Sequence, residues 1–425
     1  MPYAHGRPKP EFDTMLLRLL KPLTSLKLTV TLLAFGIALV FFGTLAQTTD
    51  GLWLAQSRYF RSWFCTWSPH TPGWQGLILP LPGGYLLGVA LLVNLIAAHV
   101  ARFKFTARKS GILLAHAGII LLLVGQLITD MFAVESQMRL TEGQAKNYSE
   151  SSLYSELAVL DVTNPKQHQV VTFPESRLTH KGELAHPNLP FTLKISDYWE
   201  NSDLQPRGPR MGGTPQASQG IAERFTFTQQ APTRTMDNRN VPTVFVEVLA
   251  GGASKGTWIL SPFASDETIV INLSRSFANQ MGPELGNKMA ASLAAPQRFE
   301  HAGRTFELQF RPQRFYHAHS LQLLKFTHEK YIGTETPKDF RSRVRLVNPE
   351  RQESREVDIY MNNPMRYAGL TYFQASFDRV DPRVTVLQVV RNPGWLTPYF
   401  GCALVGVGLV IQFLIHLVGF IQKQR

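Results

Sequence analysis

The order of hydrophobic and polar positions divides this chain into two kinds of sequence. Four apolar runs cover residues 28–46, 80–100, 110–132 and 395–421. Each has about the length of a helix that crosses a bilayer, which takes about 20 residues. Between the third and fourth runs, residues 133–394 contain short segments in which apolar and polar positions alternate, the period of a strand with one buried face. The pattern predicts a membrane protein with four transmembrane α-helices and a large mainly-β domain.

Turn residues separate the alternating segments, and many short strands with few helices are typical of a sandwich or a barrel. The segments that we expect to form strands are 157–162, 191–196, 243–249, 257–260, 268–273, 305–310, 322–327, 343–347, 356–360 and 384–390. Residues 288–295 are one possible helix. Residues 208–221 are rich in Gly, Pro, Ser and Gln and predict a mobile loop, whose role the sequence does not indicate.

Positive charge is concentrated beside the apolar runs and accounts for much of the net charge of +12. Arg102, Lys104, Arg108 and Lys109 form a short basic loop between the second and third runs. Short loops rich in Lys and Arg stay on the cytoplasmic side of a membrane. The basic loop is therefore expected to be cytoplasmic, and an even number of crossings then places both chain termini on the same side.

This topology divides the chain into four parts. Residues 1–27 are a cytoplasmic arm ending in an interfacial amphipathic helix, and residues 28–132 hold three transmembrane helices with an outer loop at 47–79. Residues 133–394 form the extracytoplasmic β domain, and residues 395–425 form the fourth helix and a short cytoplasmic tail. Four tryptophans in the outer loop are typical of the membrane interface, so the lipid bilayer is an expected partner.

Several classes of function lack their residues in this sequence. No Lys/Arg tract is interleaved with aromatic residues, so nucleic acid is not an expected partner. The two cysteines, Cys65 and Cys402, form neither a CxxC nor a CxxCH, and we expect no disulfide between them. No GxSxG, HExxH or phosphate loop is present, so no catalytic residues are assigned. His317 and His319 would share one face of a strand, which gives a weak metal signal; a solvated strand face explains them more simply, and no metal site is assigned.

The histidines of the apolar runs are the candidate binding residues. An ionisable side chain in lipid is costly and therefore suggests a function. His116 lies among small residues in the third run, His416 lies at nearly the same expected depth in the fourth, and His99 ends the second at a shallower level. Imidazole is a common axial ligand of heme iron, so His116 is the first candidate ligand, His416 the second and His99 the third. The alternative for each is a histidine that is hydrogen-bonded across helices or lies at the interface.

Two short segments resemble one family of membrane proteins. The first run ends in Gly43-Thr44-Leu45-Ala46-Gln47, and residues 362–377 read NNPMRYAGLTYFQASF. In the second segment, Asn-Pro and Gly predict a turn followed by a strand. Its candidate structural residues are Asn362, Asn363, Pro364, Tyr367, Gly369 and Gln374. Together with the order of helices and β domain, these segments resemble the ResB (CcsB) family, the System II cytochrome c biogenesis proteins.

The resemblance implies a function that the residues alone do not. A ResB protein works with a ResC/CcsA-type membrane subunit as a cytochrome c synthase, or heme lyase. The pair carries heme across the bacterial inner membrane and presents it to the CxxCH of apocytochrome c, where thioether bonds form. The family would place heme b, held transiently and shared with the partner, on one transmembrane histidine, and His116 matches that role. The tryptophan-rich WWD segment belongs to the partner and is absent here, so this chain alone is not expected to complete the reaction.

Two alternatives from other classes remain open. The chain could be a structural assembly factor whose β domain binds a partner or client protein without heme. It could also be a b-type electron-transfer cytochrome, with His116 and His416 as an intrachain ligand pair. Three aromatic residues of the 362–377 segment, Tyr367, Tyr372 and Phe373, are expected to fix the β domain to the helices rather than to contact heme.

Overall fold

The computed structural model describes residues 22–68, 78–102, 106–207, 214–233, 240–333, 337–378 and 381–424. Most of the predicted interfacial helix of the N-terminal arm, through residue 21, lies outside these described residues. The described chain forms two compact units. The helical unit contains residues up to 133 and from 392 onward, and the β domain contains residues from 134 to 391.

Helices and strands account for most of the described chain. The helices are α1 Leu26–Asp50, α2 Leu52–Ala55, α3 Gly84–Arg102, α4 Ser110–Phe132, α5 Glu267–Met281, α6 Pro283–Leu293 and α7 Thr397–Gln424. The strands are β1 Phe64–Trp67, β2 Leu79–Pro82, β3 Val134–Thr141, β4 Ala145–Asp161, β5 Gln169–Pro174, β6 Gly182–Leu184, β7 Thr192–Trp199, β8 Ser202–Pro206, β9 Phe225–Gln229, β10 Thr243–Ala250, β11 Ala253–Leu260, β12 Gln297–His301, β13 Arg304–Lys330, β14 Pro337–Asn348, β15 Glu353–Tyr360, β16 Met365–Tyr367, β17 Leu370–Phe377 and β18 Val384–Arg391.

The predicted fold class is confirmed. Four helices, α1, α3, α4 and α7, are long and apolar enough to cross a membrane, and the β domain is mainly antiparallel sheet. Helix α3 starts at Gly84 rather than at residue 80, because Pro80 and Pro82 belong to β2, which pairs with β1 in a small hairpin. Proline is tolerated at the edge of such a two-stranded sheet, whereas it would interrupt a helix.

A ten-stranded sheet dominates the β domain and is nearly closed into a barrel. Its main path runs β15-β14-β13-β4-β3-β18-β17-β16. The two ends of this path approach each other at the bridge between Tyr360 and Asn363. Inside the curved part, Ser342 of β14 donates a hydrogen bond to Gln374 of β17 at 2.6 Å, so side chains also join strands across the barrel. A core of buried apolar residues fills this barrel, among them Leu321, Val344, Leu387 and Tyr372.

The long strand β13 belongs to two cores. Its first half, paired with β4 and β12, packs against the four-stranded sheet β11-β10-β7-β6 as a sandwich. Its second half pairs with β14 and forms part of the barrel wall. A sandwich and a barrel therefore share one 27-residue strand, which combines the two architectures that the alternating pattern left open.

One predicted strand is wrong. Residues 268–273 belong to helix α5, although their β-branched residues favour a strand. Asp266 caps this helix: its carboxylate accepts hydrogen bonds from the backbone N–H groups of Thr268 and Ile269. Helices α5 and α6 cover a third core, which also buries Ala217 and Ile221 of the predicted mobile loop. Residues 208–213 of that loop lie outside the described residues.

Helices α4 and α7 pack through a glycine seam, formed by Gly111, Gly118 and Gly125 of α4 and by Gly401 and Gly408 of α7. A Cβ atom on Gly118 would lie 2.6 Å from the carbonyl oxygen of Gly401, and one on Gly111 would lie 2.5 Å from that of Gly408. Small residues let helix backbones approach this closely in membranes. The spacing of seven keeps the glycines on one side of each helix, as in a left-handed coiled coil.

Candidate functional site

The helical unit brings together two of the three candidate histidines. His99, three residues before the end of α3, and His116, one and a half turns into α4, meet across the two helices. Their ring centroids are 4.7 Å apart and the rings are nearly perpendicular, at 89°. The Nδ1 atom of His116 lies 3.0 Å from the Nε2 atom of His99, within hydrogen-bond distance. The two rings therefore form one unit, the helical histidine pair.

The backbone determines which nitrogen of each ring carries the proton. His99 Nδ1 lies 2.8 Å from the carbonyl oxygen of Leu95, which can only accept, so this nitrogen donates. The Nε2 atom of a neutral His99 then has a lone pair and accepts from the Nδ1–H group of His116. The Nε2 atom of His116 consequently has a lone pair of its own, and no described residue donates a hydrogen bond to it. A metal ligand of this type has its other nitrogen held by a hydrogen bond.

His416 does not join this pair, and the expectation that it shares the depth of His116 is wrong. In the glycine seam Gly118 faces Gly401, and α4 and α7 run in opposite directions, so position 403 is level with His116. His416 lies thirteen residues farther along α7, roughly 20 Å at the rise of an α-helix. Its side chain is exposed, and Nε2 accepts a hydrogen bond from Gln412 one turn earlier.

A cavity of about 530 Å³ lies between the helices on the same side of α4 as His116. Its walls along α3 and α4 begin at Leu92 and Leu123, each seven residues from the nearer histidine. Most of its lining is apolar, but Asp130 at one end is ion-paired with Arg61 at 2.9 Å and accepts a hydrogen bond from the hydroxyl of Tyr85. The cavity thus combines apolar walls with a polar end, the usual character of a ligand site in a bundle.

The first sequence motif helps to build this part of the molecule. Gln47 lines the cavity. Gly43 packs against the ring of Phe60, since a Cβ atom there would lie 3.0 Å from two ring carbons. Thr44 donates its hydroxyl proton to the backbone carbonyl of Val40 at 2.8 Å. The glycine allows close packing, and the glutamine supplies a polar group to the cavity.

The second motif forms a hairpin within the barrel. Ala368 and Gly369 have positive φ angles of 49° and 77°, which the two central residues of a tight hairpin turn require. Asn362 also has positive φ, at 62°, where the chain turns before Asn363 and Pro364. Gln374 of β17 donates to the hydroxyl of Thr385 at 2.9 Å.

The tyrosines of this motif lie inside the β domain itself. Tyr367 donates its hydroxyl proton to Glu353 at 2.7 Å and accepts from Asn348 at 2.9 Å. Tyr372 is fully buried in the barrel core, and its hydroxyl lies 2.7 Å from Nε2 of His319. Their contacts are with other side chains of the barrel, so the motif stabilises the barrel.

His317 and His319 share one face of β13 as predicted, but a solvated face is the wrong interpretation. His319 is only 3% exposed, and the two rings are stacked at 5.6 Å between centroids. Nε2 of His317 is within 3.0 Å of the Ser149 hydroxyl. Burial lowers the pKa of His317 to about 4 and also lowers the pKa of His319, so both are neutral near pH 7. Among the described residues, no three His, Cys, Asp or Glu side chains are grouped as a metal site.

Comparison with known proteins connects the second motif to a family. A family model, the ResB-like family, matches residues 246–383, which include most of β10 and all of β11 through β17. These matched residues are similar to the ResB-like family. Protein NrfI of Wolinella succinogenes is 35% identical over 108 residues, which are 25% of this chain and 12% of NrfI. The chain thus matches only a small part of the length of this relative. The resemblance of residues 362–377 to ResB is confirmed, whereas the motif at 43–47 lies outside the matched residues of the ResB-like family.

Sequence reasoning missed the partnership between His99 and His116. It ranked His99 last because an interfacial histidine costs little, and it treated each histidine separately. One signal was available: two helices joined by a short basic loop run antiparallel, so positions equally far from that loop face each other. His99 lies three residues before Arg102 and His116 six residues after Ser110, so both lie within two helical turns of the loop. The orientation of the two rings could not be read from the sequence.

Proposed function

We propose that this ResB-like chain is a heme-handling subunit in cytochrome c biogenesis, with His116 as the axial ligand of heme b. The observation that carries the proposal is the free lone pair on Nε2 of His116, whose Nδ1–H group is held by His99. Neutral imidazole with one nitrogen anchored and the other free is the donor that heme iron takes from proteins. The residues present therefore fit the group that the family implies.

Among the residues that the structure describes, the helical unit offers one such donor and not two. Both nitrogens of His99 are used, by Leu95 and by His116. His416 is roughly 20 Å along α7 from the level of His116, by the rise of an α-helix. A second axial ligand would thus come from another chain, which agrees with a ResC/CcsA-type partner that carries the WWD segment. The same spacing argues against the b-type cytochrome with an intrachain histidine pair.

The residues of this chain would hold and shield the cargo. His99 orients the ring of His116, and the apolar cavity walls of α3 and α4, which begin seven residues from the histidines, would shield the cargo from water. Heme, when bound, supplies the vinyl groups that react with the two thiols of an apocytochrome CxxCH. The basic loop between α3 and α4 supports a cytoplasmic position for that end of the bundle. The β domain would then lie on the extracytoplasmic side of the bacterial inner membrane, where it braces the partner or receives the apocytochrome.

The test is an absorption spectrum of the complex purified from membranes. The chain is co-expressed with a ResC/CcsA-type partner, as wild type and as His116→Ala. We expect heme in the wild-type complex and a loss of most of it in the variant. An unchanged heme content together with intact cytochrome c maturation would contradict the ligand assignment and leave the structural assembly factor.

His416→Ala is the matched control, because it also removes an imidazole from an apolar helix. We expect it to leave the spectrum unchanged. Loss of heme on His416→Ala, with heme present in the chain purified alone, would instead favour the intrachain cytochrome.

A further inference from the structure

The β domain contains a cavity of about 650 Å³ at one end of the barrel, separate from the helical histidine pair. The barrel-mouth cavity is lined by ends of β3, β17 and β18, by the middle of β13, by Ser149 of β4 and by the turn after β14. Its size lies within the range of small-molecule sites, and the mouths of β-barrels are common places for them. His319 and Asn348 line it and are almost completely buried, so its polar side chains belong to the barrel interior.

One of these side chains presents a hydrogen-bond donor without a partner. Tyr372 is fully buried, and among the described residues Nε2 of His319, at 2.7 Å, is the one partner of its hydroxyl. Burial raises the pKa of Tyr372, so the hydroxyl keeps its proton and donates it to that nitrogen. A neutral His319 then carries its own proton on Nδ1. Among the described residues nothing accepts a hydrogen bond from this N–H group, although His319 is 97% buried. Because His319 lines the cavity, its N–H group can donate to a molecule bound there.

The rim of the cavity is positively charged. Arg314, Arg351 and Arg391 line it together with one carboxylate, Glu350. Arg314 is paired with Glu150 at 2.9 Å, but neither Arg351 nor Arg391 forms an ion pair with any described residue. Two available guanidinium groups against one carboxylate favour an anion, and guanidinium binds carboxylates in a two-pronged geometry.

About half of the cavity lining is apolar. Val134, Phe315, Leu370 and Val389 line the cavity along with the polar groups. A simple inorganic anion would leave these side chains in contact with water. The best complement is a molecule with an apolar or aromatic body that contacts these side chains. It would also carry acidic groups, one for the N–H donor of His319 and one for the arginines of the rim.

We propose that the barrel-mouth cavity binds an organic carboxylate with an apolar body. One carboxylate accepts from the Nδ1–H group of His319 and another pairs with Arg351 and Arg391 at the rim. The proposal does not depend on heme binding by the helices, and either can fail without the other.

The probe is naphthalene-2,6-dicarboxylate, whose fluorescence anisotropy is followed as the full-length chain is added in detergent. We expect saturable binding at pH 7 and at least about tenfold weaker binding of the dimethyl ester, which keeps the apolar body but loses both charges. Inorganic phosphate in equal concentration should not displace the probe. Equal binding of diester and diacid would overturn the proposal, as would displacement by phosphate.

Variants locate the binding in the cavity. Arg391→Gln, an exposed change at the rim, should weaken binding of the diacid about tenfold. His319→Gln should weaken it by removing the buried imidazole that donates to the other carboxylate. Arg383→Gln is the control, because Arg383 is an exposed arginine outside the cavity, paired with Asp381 at 2.9 Å. Binding of the diacid that is unchanged in Arg391→Gln, or reduced equally in Arg383→Gln, would contradict the site. His319→Gln counts only if its melting temperature matches that of the wild type, whereas Arg391→Gln tests the site without disturbing the core.

Discussion

Each unit of this molecule contains a pair of histidines, and the two pairs differ in what holds their rings. In the helical unit, His99 and His116 are perpendicular and hydrogen-bonded to each other. In the β domain, His317 and His319 are stacked at 20°, and each is held by a hydroxyl group of another strand. Four similar side chains thus occupy two different hydrogen-bonding environments.

The difference shows that the partner of one ring nitrogen determines the chemistry of the other. In the helical pair, the backbone carbonyl of Leu95 accepts a hydrogen bond from Nδ1 of His99, so Nε2 of His99 accepts from His116. The free lone pair is then on Nε2 of His116. A tyrosine hydroxyl at His319 is itself a donor, so the far nitrogen of that ring carries a proton. We therefore propose that one pair presents a ligand to heme iron and the other a donor to a carboxylate. The predictions below test this contrast.

The largest expected effect concerns the stability of the β domain at acid pH. The pKa of His317 is about 4 in the folded state, below its usual 6.5. The unfolded chain therefore takes up a proton first, and stability that is fully present above pH 6.5 is lost as the pH falls towards 4. The loss from His317 should reach up to about 3 kcal/mol. Urea unfolding of the full chain, followed by circular dichroism at several pH values, measures it.

His317→Gln provides the comparison for this pH series, because glutamine can still bond to Ser149 but does not titrate. The variant should lose clearly less stability than the wild type between pH 6.5 and 4. Parallel pH curves for the two proteins would mean that His317 does not remain neutral in the barrel.

The second effect separates ligand from orienting residue in the helical pair. His99→Ala removes the acceptor for the Nδ1–H group of His116 but leaves its free nitrogen. Loss of such a supporting hydrogen bond typically weakens metal binding by about 10- to 100-fold. Transfer of heme from the purified complex to excess apomyoglobin measures this, and His99→Gln, which can restore an acceptor, should recover part of it.

The control comes from the other pair. His317→Gln should leave heme transfer unchanged, because the proposed ligand lies in the helical unit. If His99→Ala retains heme as firmly as the wild type while His116→Ala loses it, His99 is not needed to orient the ligand.

The smallest effect concerns the hydroxyl that fixes His319. Tyr372→Phe removes the donor to Nε2, and the unpaired buried nitrogen should cost about 1–2 kcal/mol of unfolding free energy. Tyr154→Phe is the control, since Tyr154 is 58% exposed and its hydroxyl has no partner among the described residues. Equal stability of both variants would mean that the ring of His319 can exchange its proton between nitrogens at no cost.

Much of the fold could be predicted from the sequence because its signals are local. The four apolar runs and the alternating strands depend on periodicity within each segment, and the structure confirms them. The error at residues 268–273 arose where a capping contact from Asp266 outweighed strand propensity. The start of α3 moved from residue 80 to Gly84 because two prolines joined a strand pairing that the sequence does not display.

The candidate site was harder to predict from the sequence, because it depends on contacts between residues that are far apart in the chain. The intramembrane position singled out His116, but the depth of His416 was estimated from each helix end separately. Only the glycine seam shows how α4 and α7 are aligned. The burial of His319 likewise depends on Tyr372, which lies 53 positions away in the sequence. Such pairings are set by tertiary packing and leave little trace in any one segment.

The glycine seam also has an entropic consequence. Glycine has no side-chain rotamers, so packing α4 against α7 costs little side-chain entropy. Correspondingly, little side-chain entropy is regained when the two helices separate. Backbone atoms in contact cannot adjust by changing a χ angle, as leucine or methionine could. This side of α4 is therefore stiff, and its histidine-bearing side, towards α3, is packed through side chains that can move. Any cargo that enters the bundle would be accommodated by rearrangement on the α3 side, while α4 and α7 move as one body.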